Sequence, residues 1–274
     1  MKSIIFFLIF ITNISHAQEL LGDGNKFLDH FARHSLSGDG NTIAVKDNFD
    51  FQNQFQSIDI YDYDGTQWNQ RINSNNPISI VGFEFDLSTD SNTLIKSFSA
   101  STNNAGAKVY EWDGTEWQQK GNDIIVTGNQ NNNRKSYVNQ NGDIVTLITS
   151  DFSNNFSINS FEWNGNSWQQ RGNTFNTNEF SSISLSKNQN RFVGVKILDQ
   201  SGSFIDYLFK VFEFSGNSWN QLGSDITQSD LLNPSPFFSL ATFNNAADTF
   251  AIGCSSCFDF NSNGGAVEIY TFNG

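Results

Sequence analysis

The sequence predicts an all-β protein, a β-propeller of five four-stranded blades, on three observations. A thirteen-residue motif rich in aromatic residues recurs about every fifty residues, and a strand–turn–strand motif precedes each copy. No stretch shows helical periodicity beyond a turn or two. Units of this length with four short strands each are typical of propellers, whose blades pack face to face around a channel.

Residues 1–17, before the first repeat, have the layout of a secretory signal peptide. Lys2 is followed by an apolar run from Ile4 to Ile11, and small residues at Ser15 and Ala17 precede a predicted cut before Gln18. The run is too short to span a bilayer comfortably, and no other apolar segment approaches the length of a membrane span. We expect a protein that is secreted or held at the cell surface and not inserted into the membrane; the alternative is a buried N-terminal strand.

The net negative charge argues against one class of partner. The chain has 28 acidic and 15 basic side chains, a net charge of −13 that becomes −14 when Lys2 is removed with the leader. Nucleic-acid phosphates need clustered Lys and Arg, so nucleic acid is not an expected partner. Aromatic residues make up 15% of the chain and supply ample core material, so we expect a folded protein, a monomer.

The first half of each repeat reads as a hairpin of two strands, A and B. Residues 35–45 (SLSGDGNTIAV) show the pattern, and its partners begin at Phe85, Tyr137, Ile183 and Leu240. Asp-Gly and Asn-Gly between alternating apolar residues are strong hairpin signals.

The second half of each repeat predicts strands C and D. Its copies are 60–70 (IYDYDGTQWNQ), 109–121 (VYEWDGTEWQQKG), 160–172 (SFEWNGNSWQQRG) and 211–223 (VFEFSGNSWNQLG). The second aromatic position is always Trp, and the intervals are 49, 51 and 51 residues: Trp68, Trp117, Trp168 and Trp219. One fixed position per repeat indicates a blade-packing anchor; the alternative is a ring that stacks on a sugar.

The ends of the chain predict how the ring closes. The 257 residues after the leader form one domain, 18–274, of five repeats, at about 23–73, 74–123, 124–173, 174–224 and 225–274. The fifth repeat stops where its strand D should begin, and residues 18–22 (QELLG) align with the end of a strand D. We expect this N-terminal segment to supply that strand, a 3+1 closure that removes an exposed sheet edge. The alternative is a fragment of a seven-bladed propeller.

These motifs resemble a known family. Residues 35–45, 107–121, 251–253 and 264–270 are similar to secreted bacterial repeats of the integrin-α-like (FG-GAP-like) propeller type. The resemblance covers about 18–274 and implies an exported propeller, often from Bacteroidetes-like organisms. It implies little about function.

Integrin-like propellers place calcium in the A–B loops, so these loops are candidate metal sites. Each A–B loop here offers at most one carboxylate, whereas Ca²⁺ prefers several hard oxygen ligands, so we expect plain turns and no cofactor. One further loop, with Asp259, Asn261 and Asn263 before Gly264, matches a metal-binding pattern and keeps Ca²⁺ as the alternative.

The two cysteines, Cys254 and Cys257, are three positions apart. With no second Cys pair, and only His30 and His34 after the leader, a four-ligand zinc site is hard to assemble. In an exported protein we expect a local disulfide; redox activity is the alternative.

The loops that join strand B to C, and D to the next A, vary most between repeats and are where binding is expected. Their candidate exposed contacts are Phe49, Phe51, Phe55, Phe152 and Phe156; the alternative is that these rings fold back over the core. No catalytic constellation is visible, so the leading hypothesis is a non-enzymatic propeller that binds a protein or glycan through its loop face. The alternatives are a carbohydrate-active hydrolase with carboxylates at the central channel, and a structural repeat module of a larger surface protein.

Overall fold

A computed structural model gives the structure of the protein. It describes residues 33–46, 56–71, 79–80, 84–101, 103–128, 132–153, 155–199, 204–232, 240–254 and 266–272. The predicted leader, 1–17, and the predicted closing strand, 18–22, lie outside the described residues.

The predicted fold class is confirmed: the described elements are β-strands, in five successive antiparallel sheets that are the blades of a β-propeller. Blade 1 contains β1 (Arg33–Leu36), β2 (Thr42–Lys46), β3 (Gln56–Tyr63), β4 (Trp68–Gln70) and β5 (Ser79–Ile80). Blade 2 contains β6 (Phe85–Leu87), β7 (Thr93–Ser101), β8 (Asn104–Trp112), β9 (Trp117–Gln119) and β10 (Ile124–Val126). Blade 3 contains β11 (Asn132–Val138), β12 (Ile144–Ser150), β13 (Phe156–Trp163), β14 (Trp168–Gln170) and β15 (Phe175–Thr177). Blade 4 contains β16 (Ser182–Leu185), β17 (Arg191–Asp199), β18 (Phe204–Ser215), β19 (Ser218–Gln221) and β20 (Ile226–Leu232). Blade 5 contains β21 (Leu240–Phe243), β22 (Thr249–Cys254) and β23 (Ala266–Thr271).

The outer strand D differs from the prediction. In blades 1 to 4 it consists of two short segments that both pair with strand C. In blade 3, β14 pairs with the Phe161–Trp163 end of β13, and β15 pairs with the Phe156–Ile158 end. Parts of the segments expected to be D–A loops are therefore strands, because strand C is long enough to pair with both.

The chain divides into two compact units. Unit 1 comprises Met1–Val81 and Asp113–Trp117, and unit 2 comprises Gly82–Trp112 and Gln118–Gly274. Blade 1 belongs to unit 1, and blades 2 to 5, apart from the 113–117 turn, belong to unit 2. In the part of the chain that the structure describes, no helix is long and apolar enough to cross a membrane.

The same type of turn closes each of the five A–B hairpins. Its first residue is Ser or Asn, and that side-chain oxygen accepts a hydrogen bond from the backbone N–H five positions later, as Ser37 does from Thr42 at 2.9 Å and Asn139 from Ile144 at 3.0 Å. The fourth residue has a positive φ in all five blades: Gly40, Ser91, Gly142, Gln189 and Ala247. The left-handed conformation favours glycine, so the other three residues hold a backbone that their side chains disfavour.

The predicted Asp-Gly and Asn-Gly turns of the C–D hairpins are also present. The Oδ1 atoms of Asp64, Asp113 and Asn164 each accept hydrogen bonds from the backbone N–H groups two and three residues later. The glycine that follows each has a φ of 96°, 101° or 96°. These Asx turns explain why that dipeptide recurs in the sequence.

The core of unit 2 lies in layers between successive blades. The layer between blades 2 and 3 contains Ile95, Ala105, Ala107, Val109, Ile124, Val126, Val138, Val145 and Leu147. The layer between blades 3 and 4 contains Ile148, Ile158, Phe180, Ile183, Leu185, Phe192, Phe212 and Trp219. The layer between blades 4 and 5 contains Val193, Val195, Tyr207, Phe209, Val211, Ala241, Phe250 and Ile252. A fully buried side chain of this size contributes about 1.5–3 kcal/mol, so these layers hold the blades together.

A cation also links successive blades of unit 2. Lys120, at the end of the first D segment of blade 2, donates to the carbonyl oxygen of Gly142 in blade 3 at 3.1 Å. Arg171 of blade 3 likewise donates to the carbonyl oxygen of Gln189 in blade 4 at 3.0 Å, and its guanidinium lies 4.1 Å from the ring centroid of Phe214. The same position in blade 4 is Leu222, and Arg191 donates instead to the carbonyl oxygen of Ala247 at 2.8 Å. In blades 3, 4 and 5 the positive-φ residue of the A–B turn thus has its carbonyl oxygen bound by a cation of the preceding blade.

Candidate binding cleft on the third blade

A cavity of about 390 Å³ opens at the end of blade 3 where strand B turns into strand C. Two segments form it: the B–C turn with the first two residues of β13, and the end of β15 with the residue after it. The lining residues are Asp151, Asn155, Phe156, Ser157, Asn176, Thr177 and Asn178. Both segments fall in stretches that the sequence predicted to be B–C and D–A loops, although Asn176 and Thr177 lie in strand β15.

Asp151 shapes the B–C turn. Its Oδ1 accepts hydrogen bonds from the backbone N–H groups of Ser153 and Asn155, both at 2.8 Å, and its Oδ2 accepts from Asn155 Nδ2 at 2.7 Å. The backbone N–H of Asp151 donates to the carbonyl oxygen of Asn155 at 3.1 Å. A short Asx-type loop is therefore closed by one side chain.

The hydrogen bonds from Asn155, its backbone N–H first, and from Ser153 lower the pKa of Asp151 below its ordinary value. A carboxyl group that accepts several N–H donors favours its charged form. Asp151 is thus a carboxylate at neutral pH, and it is unsuited to act as a general acid there.

The other wall of the cleft is set by strand pairing. Ser157 lies opposite Asn176, and Phe156 lies opposite Thr177, in the register of β13 with β15. The Ser157 hydroxyl, which is buried, donates to Asn176 Oδ1 at 2.6 Å, and Thr177 Oγ1 accepts from the backbone N–H of Glu179 at 3.0 Å. These contacts fix Asn176 with its amide N–H groups as the remaining donors.

One of the predicted phenylalanines, Phe152, follows the lining residue Asp151 in the chain, and a second, Phe156, lines the cleft. Phe152, on the turn, is 69% exposed. Phe156 is half-buried, lines the cleft and packs against the core layer between blades 3 and 4. The first ring is available for contact, whereas the second ties the floor of the cleft to the core.

Most of the other predicted site residues lie outside the described part of the chain. Phe49, Phe51 and Phe55, the metal candidates Asp259, Asn261 and Asn263, and Cys257 lie outside the described residues. Cys254 is the last residue of β22, so the predicted disulfide also depends on a residue outside the described part. Within the described residues no group of three or more His, Cys, Asp or Glu side chains could hold a metal ion.

The four predicted Trp anchors are all buried or half-buried. Trp117 and Trp219 are 7% and 8% exposed, and Trp68 packs on Tyr63 with ring centroids 5.3 Å apart. Trp168 donates from Nε1 to the carbonyl oxygen of Lys120 in blade 2 at 2.8 Å. A ring in such an environment presents little face to a sugar.

Carboxylates on strand A bear on the hydrolase alternative. Among the described A strands of unit 2, which are β6, β11, β16 and β21, Asp86 supplies the one carboxylate. It forms an ion pair with Lys187 of blade 4 at 2.8 Å and accepts from the backbone N–H of Val138 at 3.0 Å. A glycosidase needs two acids that flank the substrate, and these strands provide one that is already paired.

The carboxylates of the A–B turns hold the turns themselves. Asp39 Oδ1 accepts from the Ser37 hydroxyl at 2.6 Å, and Asp143 and Asp248 each accept from the Nδ2 of the Asn that begins the turn, at 2.6 Å. Calcium at these turns would have to displace those hydrogen bonds.

The sequence did not single out Asn155, Asn176, Thr177 or Asn178. Asn-rich connectors recur throughout the chain, so composition gave no reason to prefer these positions. The signal that could have found them is Asp151, four residues before Asn155, which is the spacing of a closed Asx loop.

Solved structures share the fold. The β-propeller domain of the Trilobed protease from Pyrococcus furiosus matches with a TM-score of 0.52 and 8% identity, over 88% of this chain and 68% of that one. TolB from Acinetobacter baumannii gives 0.47 and 14%, over 88% and 51%. The periplasmic gluconolactonase PpgL of Pseudomonas aeruginosa gives 0.47 and 11%, over 88% and 72%. No protein-family model and no curated protein matches the sequence. At such low identity, the first match supports the propeller fold alone.

Proposed function

We propose that this protein is an exported, non-enzymatic β-propeller that binds a protein or a glycan through the loop edge of its blades. The observation that carries the proposal is the cleft on blade 3, a concave site with six polar residues among its seven lining residues, formed in part by the turn that also carries the exposed Phe152. Concave sites that bring a few polar groups together on a rigid scaffold are candidate binding sites.

Binding fits the cleft better than hydrolysis does. Asp151 is the one carboxylate in the lining, and both its oxygens accept hydrogen bonds from the turn that it closes. Acid-catalysed hydrolysis of a glycosidic bond needs a second acid and a proton to give, and a carboxyl group with a lowered pKa has none at neutral pH.

Export is the second part of the proposal. It rests on the layout of residues 1–17, and the resemblance of the repeats to integrin-α-like propellers of secreted bacterial proteins agrees with it. We therefore propose that the mature protein acts at the cell surface or in the medium, where it can reach a glycan or a protein of another cell.

The test compares the two ends of blade 3. The whole chain is expressed with its leader, recovered from the culture supernatant, immobilised, and exposed to cell-wall glycans and to supernatant proteins at micromolar concentration. Phe152→Ala alters the loop edge, and Asn166→Ala alters an exposed residue of the C–D turn at the opposite end of the blade.

We expect retention of a glycan or a protein that Phe152→Ala weakens and Asn166→Ala leaves unchanged. Release of shortened glycan from the column would support the hydrolase instead. Retention that depends on Asn166, or no retention at all, would overturn binding through the loop edge.

A further inference from the structure

The chemistry of the blade 3 cleft narrows its ligand. We infer that it takes a neutral saccharide: a short oligosaccharide without carboxylate, sulfate or phosphate groups. This inference rests on the proposed binding function and assigns it a ligand class and a subsite.

The first argument for a neutral ligand is the charge of the cleft. No Lys or Arg belongs to the lining, and the nearest acidic neighbour in the chain, Glu179, is paired with Lys210 at 2.7 Å. An anionic ligand would find no cation there and would meet a chain of net charge −13. A cation would meet Asp151, whose two oxygens already accept three N–H donors. The cleft is therefore built for an uncharged ligand.

The remaining polar groups are carboxamides. Asn155, a lining residue, uses its Nδ2 on Asp151, which leaves its Oδ1 as an acceptor. Asn176 uses its Oδ1 on Ser157, which leaves its N–H groups as donors. Asn178 is exposed and can supply both kinds of group. Planar donors and acceptors in one small site suit hydroxyl groups, each of which both donates and accepts.

The proposed apolar contact is the ring of Phe152, which follows the lining residue Asp151 on the B–C turn and is not itself part of the lining. A pyranose has one face of C–H groups that packs on an aromatic ring, and 69% exposure leaves the ring free to receive it. A protein partner would instead need about 800 Å² of contact on each side, with aromatic anchors at its centre. The cleft, at about 390 Å³, falls in the size range of small-ligand sites. These dimensions favour a saccharide over a protein.

Calorimetric titration with matched oligosaccharides tests the inference. The neutral probes are hexasaccharides of β-glucose, mannose, galactose and xylose, and the acidic probe is an oligogalacturonate of the same length. The variants are Phe152→Ala, Asn178→Ala and, as a control, Leu198→Ala, an exposed apolar residue of blade 4. Circular dichroism of each variant checks that the fold is kept.

We expect at least one neutral hexasaccharide to bind and the oligogalacturonate not to bind. Phe152→Ala should weaken binding about tenfold and Asn178→Ala about threefold, whereas Leu198→Ala should leave it unchanged.

Three results would overturn the inference. They are preference for the acidic probe, affinity for a neutral probe that does not depend on Phe152, and no heat from any neutral probe at about 1 mM. In the last case, a protein retained through Phe152 in the supernatant experiment would preserve the proposed function and remove only the saccharide. If nothing is retained there either, both fail.

Discussion

At one end of blade 3 the A–B turn is closed by Asn139, and at the other end the B–C turn is closed by Asp151. Both side chains accept hydrogen bonds from backbone N–H groups of their own turn, at 2.8–3.0 Å. Asn139 is buried, whereas Asp151 is half-buried and is followed by the exposed Phe152. The same chemistry thus closes two turns in different surroundings.

The neighbours of each turn account for the difference. The turn closed by Asn139 touches blade 2: Lys120 donates to the carbonyl oxygen of Gly142, and the backbone N–H of Asp90 donates to the carbonyl oxygen of Gln140 at 3.2 Å. The turn closed by Asp151 lines a cleft. A turn fitted against another blade must keep its shape, while a turn beside open space can change its residues and acquire a ligand.

The largest expected loss of stability is at Gly142, in the A–B turn that contacts blade 2. We call this end of blade 3 the constrained end. A Cβ built there would lie 1.9 Å from Thr93 Oγ1 in blade 2, and the φ of 71° disfavours a side chain as well. We expect Gly142→Ala to lower the free energy of unfolding by about 3 kcal/mol, from overpacking and left-handed strain together.

The matched control is Gly165→Ala in the C–D turn of the same blade. Its φ is 96°, but nothing lies within 4 Å of the added Cβ, so only the strain remains, about 1 kcal/mol. Urea unfolding measures both variants. Equal losses would mean that contact with blade 2 does not constrain the turn.

The constrained end is also the part of the fold that the sequence could predict. Asp64-Gly65, Asp113-Gly114 and Asn164-Gly165 indicated turns because an Asx side chain and a glycine determine that backbone locally. The repeat interval and the aromatic positions followed from one packing arrangement repeated in each blade. Features that depend on neighbouring residues and recur in every blade can therefore be predicted from the sequence.

Other features of the same end of the blades could not be predicted from the sequence. Gln189 has a positive φ and is fully buried, and its Oε1 accepts from the Thr146 hydroxyl of blade 3 at 2.6 Å. Nothing near Gln189 in the sequence marks this contact, because the partner lies 43 residues away. The split of strand D was missed for a similar reason, since β15 is three residues long and owes its pairing to the length of β13.

The cleft was predictable only in part. The loop class and Phe152 followed from the variation between repeats, but the cleft itself requires 151–155 and 176–178 to meet. Their meeting depends on the register of Phe156 with Thr177, which no local pattern specifies.

A smaller effect is expected from removing the side chain that closes each turn. Asn139→Ala leaves the part-buried backbone N–H groups of Asp143 and Ile144 without their side-chain acceptor and should cost about 1–2 kcal/mol. Asp151→Ala should lower the unfolding midpoint less, because water can reach the N–H groups of Ser153 and Asn155 that it leaves unpaired. Urea unfolding decides, and a larger loss at Asp151 would show that the B–C turn supports the fold as much as the A–B turn does.

The smallest effect is the pH dependence at the cleft, which separates the charge of Asp151 from its shape. Hydrogen bonds from Asn155 and Ser153 lower the pKa of Asp151 in the folded protein below its value in the unfolded chain, about 3.9. The folded state therefore binds this proton less tightly, so the stability that Asp151 contributes is complete above about pH 5 and is lost as the pH falls through the folded-state pKa. We expect the difference in unfolding midpoint between the natural protein and Asp151→Asn to be constant from about pH 5 to 8 and to shrink at lower pH, since the amide does not titrate. Urea unfolding across this range measures it. A difference that grows as the pH falls below 5 would mean that the turn prefers a protonated Asp151, and the hydrogen bonds assigned to its carboxylate would then be wrong.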